Sequence, residues 1–323
     1  MPGCHWQGDP HYYPIMKKPN DYEMQGCDHG DITLTQMQEF CETIQIQFAT
    51  NLHKILAVKN NAQYKKECLA TGLAKQTIFS GLRYTLRIPN IFVIHVMHLI
   101  ALNDPDLLIG LWHASLQLKV YAPDSKAFWD WAVLVGAVWD SHGRTVAMAK
   151  PYLPLSFGHA PQNLALKINS GYKAWEFMLY LFGLGPVLLH SILGHHYWCN
   201  YCKFVCGVLL LYQRKITPEH VQEAHHLLCE FAQEFEDLYV QRKPECMHFL
   251  QQSIHLLTHM GPETICAGPL ISYSQWTMES LIGNLGREIR QDKEPYANIA
   301  ERALLQAQKI AIQNIIPGLL APR

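Results

Sequence analysis

The stretch at residues 217–238 is the sequence feature that most constrains the fold. Thr217 is a good helix cap, Pro218 suits the first helical position, and Glu219 lies in the first turn. Apolar residues then recur at spacings of three and four, namely Val221, Ala224, Leu228, Phe231, Phe235 and Leu238. A continuous stripe of this kind must be covered by other helices. The sequence therefore predicts a helical bundle in which this stripe is buried.

Most of the remaining chain carries the same helical period. This period predicts further helices at residues 33–57, 64–73, 107–116, 125–149, 167–182, 197–211, 244–260 and 297–316. Two short segments differ, because residues 83–88 alternate polar and apolar side chains and residues 90–97 are rich in Ile and Val. The predicted fold class is therefore mainly α, with a helical bundle and a small strand-bearing segment.

The composition excludes several classes of protein. With 49% hydrophobic and 16% charged residues, the chain of 323 residues can bury a sizeable core, so it is not mainly disordered. The formal net charge of −1 excludes a strongly basic coat for nucleic acid, and any DNA contact must come from a local patch. The 18 His residues predict a charge that is sensitive to mildly acidic pH.

Neither secretion nor membrane insertion is expected. Ten Cys in a chain of this length do not form a disulfide scaffold, and residues 1–14 contain no apolar signal core. The uncharged run at residues 177–194 is interrupted by Gly183, Gly185 and Pro186, which favours a buried helix–turn–helix over a membrane segment. We therefore expect no membrane partner, and a cytoplasmic location unless another signal directs the chain elsewhere.

Three His residues, His248, His255 and His259, fall on one predicted helix. His255 and His259 are one helical turn apart, so both imidazoles can face the same point and could share a metal ion. The Glu of an H-E-x-x-H motif is missing, which favours packed or hydrogen-bonded imidazoles over a metal site.

Two groups containing Cys offer metal-ligand types. Cys199, Cys202 and Cys206 have a C-x2-C-x3-C spacing, but no second C-x2-C exists and their surroundings are apolar. The loop at residues 27–31 contains Cys27, Asp28, His29 and Asp31. We interpret the first group as small hydrophobic side chains of a helix and the second as a polar turn.

A further candidate region begins at Glu279. This residue precedes a Gly-rich bend predicted at residues 283–286, and its carboxylate could bind a cation. The basic residues that could contact DNA phosphates follow it, namely Arg287, Arg290 and Lys293. Acidic residues lie between them and dilute the patch, which favours a solvated helix face.

Several longer strings occur together in this chain. They are HYYP (11–14), GCDH (26–29), IFSGL (78–82), PDLLI (105–109), WDWAVL (129–134), KINSGYKAWEF (167–177), YLFGLGP (180–186), QWTME (275–279), IGNLG (282–286) and PYAN (295–298). Together they resemble the transposases of CACTA-type, En/Spm-like DNA transposons, in the form abundant in fungal genomes. The resemblance covers nearly the whole chain.

The resemblance implies an RNase H-like α/β core interrupted by a long helical insertion. Residues 1–103 then correspond to a remnant of the core, residues 104–265 to the helical insertion, and residues 266–323 to a C-terminal core segment with a terminal helix. Such enzymes place two Asp and one Glu around two divalent ions, expected to be Mg²⁺, to cleave and join DNA strands. The implied partners are transposon-end DNA and a second copy of the chain, in the nucleus.

Residue by residue, the catalytic pattern of the family is incomplete here. In the family's D-x-M-H-L pattern the second Asp stands three residues before a His, and the matching string HVMHL places His95 at the Asp and His98 at the His. The first Asp should lie upstream of residues 11–14, so we expect the chain to start after it. The third acid is assigned to Glu279, although Ser280 stands where Arg is usual. This mapping predicts that His95 and Glu279 lie close together in the folded chain.

The family also bears on the other candidate ligands. It supports only Cys202 of the Cys triplet, which strengthens the interpretation of that spacing as coincidence. His255 and His259 fall where the family tends to have His, which favours a structural or site role for them.

Three functional hypotheses follow. The first is a transposase-derived fragment without catalytic activity, because two of its three metal-binding acids are not found. The second is a domesticated helical module that binds DNA or oligomerises without catalysis. The third is an unrelated helical protein that binds metal through its His and Cys clusters.

Overall fold

The computed structural model describes residues 4, 11–20, 29–39, 44–73, 75–80, 82, 88, 91–117, 125–154, 159–289 and 293–316. The chain divides into two compact units, Met1–Tyr273 and Ser274–Arg323. In the described residues helices predominate and no β-strand occurs; one isolated antiparallel bridge pairs Cys4 with Tyr13. The mainly α prediction is confirmed. The predicted boundaries at 103/104 and 265/266 stay a prediction.

The α-helices of the first unit are α1 (Leu34–Glu39), α2 (Ile44–Leu56), α3 (Asn61–Thr71), α4 (Val96–His98), α5 (Asp104–Trp112), α6 (Gly136–Met148), α7 (Leu164–Lys167), α8 (Ala174–Leu179), α9 (Gly185–Leu188), α10 (His195–Leu211), α11 (Pro218–Phe235), α12 (Gln252–Leu257), α13 (Met260–Ala267) and α14 (Leu270–Tyr273). The second unit contains α15 (Trp276–Arg287) and α16 (Pro295–Ile315). Short 3₁₀ helices occur at Lys126–Phe128, Lys150–Tyr152 and Pro244–Phe249.

The centre of the first unit is the pair formed by α10 and α11. Thr217 caps α11 as predicted, accepting a hydrogen bond from the backbone N–H of His220. Phe231 is fully buried and stacks on Phe204 of α10, with 5.1 Å between the ring centroids. The helices approach closely at Gly207, where a Cβ atom would lie 2.7 Å from Leu228 Cγ. The pair therefore requires a glycine at this crossing.

Three π turns extend or precede helices of this unit, at Leu99–Asn103, Tyr180–Leu184 and Glu236–Val240. The last continues α11 with a wider turn and changes which side chains face the core. Tyr239 and Val240 are buried there, whereas Leu238 is only partly buried. The predicted stripe is buried as expected from Val221 to Phe235, whereas Leu238 is only partly buried, packed against the edge of the core, because the period changes.

The strand predicted at residues 90–97 is wrong where the structure describes it. Residues 91–95 are irregular and α4 follows them. The Ile94 N–H donates to both carboxylate oxygens of Glu263, at 2.9 and 3.0 Å, so this backbone is paired with a side chain and not with a strand. Of the strand predicted at residues 83–88, all but Ile88 lies outside the described residues. The RNase H-like α/β remnant is therefore not supported.

Several predicted helices are interrupted. The one expected at 125–149 begins only at Gly136, because Trp129 and Trp131 are drawn into the core and Asp130 accepts a hydrogen bond from the Tyr197 hydroxyl at 2.7 Å. The helix expected at 244–260 is divided into a 3₁₀ helix, α12 and the start of α13. The run at residues 177–194 contributes to α8, a π turn and α9, and no helix among the described residues is long and apolar enough to span a bilayer.

Candidate functional site

The first histidine pair lies at the start of α4. His95 is the N-cap of this helix, and its Nδ1 accepts a hydrogen bond from the backbone N–H of His98 at 3.4 Å. Nδ1 of His98 lies 2.9 Å from the same nitrogen. Because His95 Nδ1 already accepts from the backbone, we assign the proton of this contact to His98 Nδ1. The position that the resemblance gives to a metal-binding Asp thus holds an imidazole that caps a helix.

The second pair, His255 and His259, joins α12 to the N-cap of α13, with 3.0 Å between the two Nε2 atoms. Burial, and secondarily the neighbouring imidazole, lowers the pKa of His255 to about 3, and burial lowers the pKa of His259. Both rings are therefore neutral at pH 7, and one Nε2–H donates to the other ring. His248 lies on a separate 3₁₀ helix, so the prediction of one helix for all three His residues is wrong.

Helix α11 brings two further ligand types toward this second pair. His225 contacts Gly261 of α13, where a Cβ atom would lie 2.7 Å from His225 Cβ, and burial lowers the pKa of His225. Cys229 Sγ lies 3.7 Å from His225 Nδ1. Within the described part of the first unit, however, no three His, Cys, Asp or Glu residues offer ligand atoms all within 4.8 Å of one another. The arrangement consists of two separate pairs, His255 with His259 and His225 with Cys229, rather than a formed metal cage.

Buried carboxylates hold loop segments onto the bundle, a feature that the sequence analysis missed. Glu176 is fully buried and accepts hydrogen bonds from the backbone N–H groups of Gln162 and Lys173, each at 2.9 Å. Glu236 accepts from the N–H groups of Met16 (2.9 Å) and Lys17 (2.6 Å), and its burial raises its pKa to about 7. Charge-assisted bonds of this kind offset the cost of burying an acid.

Asp104 is also a buried carboxylate, but backbone N–H groups do not hold it in this way. It follows the π turn Leu99–Asn103, it is fully buried, and neither oxygen forms a hydrogen bond of normal geometry. Burial raises its pKa to about 8, and the nearby hydroxyl of Ser253 opposes that rise. Ser253 lines a cavity of about 580 Å³ together with Asn103, Asp106 and Gln251. The protonated acid is therefore the form that this environment favours at pH 7.

The two Cys-containing groups have different outcomes. On α10, Cys199 Sγ lies 3.5 Å from His195 Nε2, Cys202 is partly buried and Cys206 is exposed. Burial, followed by the neighbouring thiols, raises the pKa of Cys202 to about 11, which opposes the thiolate form that metals bind.

In the loop group, Cys27 and Asp28 lie outside the described residues. Asp31 accepts hydrogen bonds from the Arg242 guanidinium, which lowers the pKa of Asp31. His29 Nε2 lies 3.5 Å from Cys4 Sγ.

In the second unit, Glu279 lies in the first turn of α15 and is half-buried. The Gly-rich bend predicted at 283–286 is wrong, because these residues continue α15. The Arg287 side chain is held on its own helix, donating to the Gly283 carbonyl (3.2 Å) and to Asn284 Oδ1 (2.8 Å). Lys293 is exposed, and Arg290 lies outside the described residues. The expected proximity of His95 and Glu279 stays a prediction.

Comparisons with protein-family models, with curated proteins and with solved structures find no match.

Proposed function

We propose that this chain is a catalytically inactive derivative of a CACTA-type DNA transposase that keeps the helical insertion as a folded module. The strings that carry the resemblance coincide with positions on which the first unit depends. In WDWAVL, Trp131 packs in the core and the exposed Asp130 accepts a hydrogen bond from the Tyr197 hydroxyl. Glu176 of KINSGYKAWEF accepts hydrogen bonds from two loop N–H groups. In YLFGLGP, Gly185 leaves room for the Tyr201 hydroxyl. These packing and hydrogen-bonding roles explain why a folded chain would keep these strings even without catalytic activity.

The observation that carries the inactivity is the environment of His95. A two-metal site needs hard oxygen ligands, since Mg²⁺ prefers oxygen and dehydrates reluctantly. His95 offers imidazole nitrogen, and its Nδ1 is occupied by the His98 N–H and the His98 ring. This donor set does not fit Mg²⁺, so we derive no metal-dependent step for this chain.

The other acids do not compensate. No residue of this chain has been matched to the first Asp of the family, and Glu279 alone would provide one carboxylate of three. A single carboxylate is too few to hold two divalent ions in place. We therefore expect no strand cleavage, even if Glu279 is the true third acid.

Strand cleavage and joining on transposon-end DNA, with Mg²⁺ or Mn²⁺, test this proposal. We expect no product from the purified chain and no rescue by His95→Asp, because that change supplies only one further carboxylate beside Glu279. An active transposase of the same type, on its own ends, serves as the positive control. Metal-dependent cleavage by the unmodified chain, lost in Glu279→Gln but kept in the exposed control Glu301→Gln, would overturn the proposal.

The proposed origin makes DNA and the nucleus the expected partner and location. The basic residues of the second unit, Arg287, Arg290 and Lys293, are the candidates for phosphate contacts. If they bind DNA, replacing Arg287 and Lys293 by Ala should weaken binding uniformly across sequences and reduce its dependence on salt. Unchanged affinity in fluorescence anisotropy would remove these residues from the proposal.

A metal-binding function is the second candidate, and the 3.0 Å contact between His255 and His259 favours it. The neutral imidazoles suit a borderline ion such as Zn²⁺, but a third ligand, such as the Cys229 thiol that contacts His225, would have to move toward the pair. Metal analysis of the purified chain distinguishes this candidate. Stoichiometric Zn²⁺ that is lost in the double variant His255→Gln, His259→Gln would establish it in place of the transposase-derived function.

A further inference from the structure

The second unit leaves its apolar side chains exposed. No residue in its described part is buried, although α15 and α16 are both amphipathic. A segment of this size cannot form a stable fold without a buried core. The described part of this unit therefore lacks the cover that its apolar residues require.

Helix α16 carries one face that is apolar from end to end. Its positions recur at spacings of four, four, three, four and four: Tyr296, Ala300, Leu304, Ala307, Ala311 and Ile315. Tyr296 is 86% exposed, Leu304 60% and Ile315 78%. We call this face the α16 stripe. No charged residue of α16 belongs to the stripe, so pairing it with another apolar surface buries no charge.

The opposite side of α16 is already used within its own unit. Arg302 donates to Glu288 Oε2, at 2.9 Å from Nε, which ties α16 to the end of α15. Partly buried residues within about 60° of Arg302 around the helix include Ile299 and Gln306. The contacts described within the unit thus leave the α16 stripe uncovered by its own unit.

We propose that the α16 stripe is the contact surface for a second copy of this chain, in an antiparallel two-fold dimer. The spacing is symmetric about the middle of the stripe. An antiparallel pair therefore places Leu304 opposite Ala307 of the second copy, Ala300 opposite Ala311, and Tyr296 opposite Ile315. A two-fold interface needs this reciprocity, because each contact must occur twice.

The side chains suit close packing of two helices. Ala at three of the six positions lets the backbones approach, and the large residues fill the space beside them. Covering the stripe and its edges would bury on the order of 600 Å² per chain, at the lower end of specific interfaces. We therefore expect a dimer that dissociates on dilution. This inference does not depend on the transposase-derived function.

The test is the mass of the full chain in solution, by sedimentation or light scattering over a concentration series. We expect the unmodified chain to approach twice 37.0 kDa as concentration rises. Leu304→Glu places a charge at the centre of the stripe and should leave a monomer. Leu305→Glu is the matched control, since the neighbouring position points about 100° away around the helix. It should keep the dimer.

A mixing experiment tests the antiparallel register. The Ala307→Lys chain alone should also be monomeric, because its Lys faces an apolar residue in the symmetric pair. An equimolar mixture of L304E and A307K chains should form a dimer, since the new carboxylate then faces the new ammonium. A monomeric unmodified chain at the highest soluble concentration, or equal disruption by Leu304→Glu and Leu305→Glu, would overturn the proposal.

Discussion

At the scale of single residues, carboxylates buried in the bundle determine where loops are attached. Glu236 is 1% exposed, and its carboxylate accepts hydrogen bonds from the backbone N–H groups of Met16 and Lys17. The neighbouring ion pair between Lys17 and Asp237, at 2.5 Å, is more exposed and adds little by comparison. The buried acid, not the surface pair, therefore holds this N-terminal segment in place.

Glu236→Gln should release the segment. One of the two N–H donors would lose its acceptor and face an amide NH₂, which costs about 1–3 kcal/mol. We expect faster hydrogen exchange at the Met16 and Lys17 amides and earlier proteolysis of this segment, measured above the pKa of about 7 where the native carboxylate is charged. Asp237→Asn is the control and should cost less than about 1 kcal/mol. Equal exchange rates in both variants would contradict this role.

At the scale of elements, α11 organises the first unit. Phe231 is fully buried between Phe204 of α10 and Phe235 of its own helix. Phe231→Ala should therefore lower the free energy of unfolding by about 3–5 kcal/mol in urea titrations. Leu238→Ala, at the partly buried position in the π turn, should cost clearly less. A loss below about 1 kcal/mol for Phe231→Ala would mean that this face is not part of a packed core.

Regular, amphipathic helices could be predicted from the sequence, and tertiary contacts account for the failures. Helices α10, α11 and α16 match their predicted ranges closely because their helical period is regular, and α11 also has its predicted cap at Thr217. The segment around Trp131 reads as helical, but burial of its aromatic side chains overrides the local pattern.

The candidate site was predictable only in part. The i, i+4 spacing of His255 and His259 suggested two facing imidazoles, and the structure has them 3.0 Å apart. His225 and Cys229 come from another helix, so no local pattern could associate them with this pair. Asp104 precedes Pro105 and reads as an ordinary helix start; its burial results from packing that the sequence pattern does not record.

At the scale of the whole molecule, buried titratable groups make the free energy of unfolding depend on pH. Burial lowers the pKa of His142 to about 4 and of His255 to about 3, from 6.5, so these sites resist protonation only while folded. The contribution of these two His residues to the free energy of unfolding is therefore lost as pH falls below about 6.5. Burial raises the pKa of Asp104 to about 8 and of Glu236 to about 7, so stability is lost as pH rises through these values.

The urea midpoint of the first unit should therefore decrease as pH rises from about 6.5 to about 8, where only the buried acids contribute, whereas between about pH 4.5 and 6.5 the buried His residues and the buried acids oppose each other. Asp104→Asn should reduce this decrease, because the amide has no proton to lose. His255→Leu should lower the midpoint at pH 6.5 relative to the midpoint at about pH 4.5, because it removes one of the groups that oppose the acids. A midpoint that rises between about pH 6.5 and 8, or a decrease in this range that is unchanged in Asp104→Asn, would show that these groups do not govern stability.

The π turn at Glu236–Val240 also affects how this chain would line up with another sequence. A π turn holds one residue more than an α turn over the same rise. A homologous chain with a regular helix there would be one residue shorter, and a correct alignment would need a gap inside a helix. Scoring schemes discourage gaps in such positions. An alignment without that gap would pair Leu238 with the homologue's core residue and shift every residue after it by one.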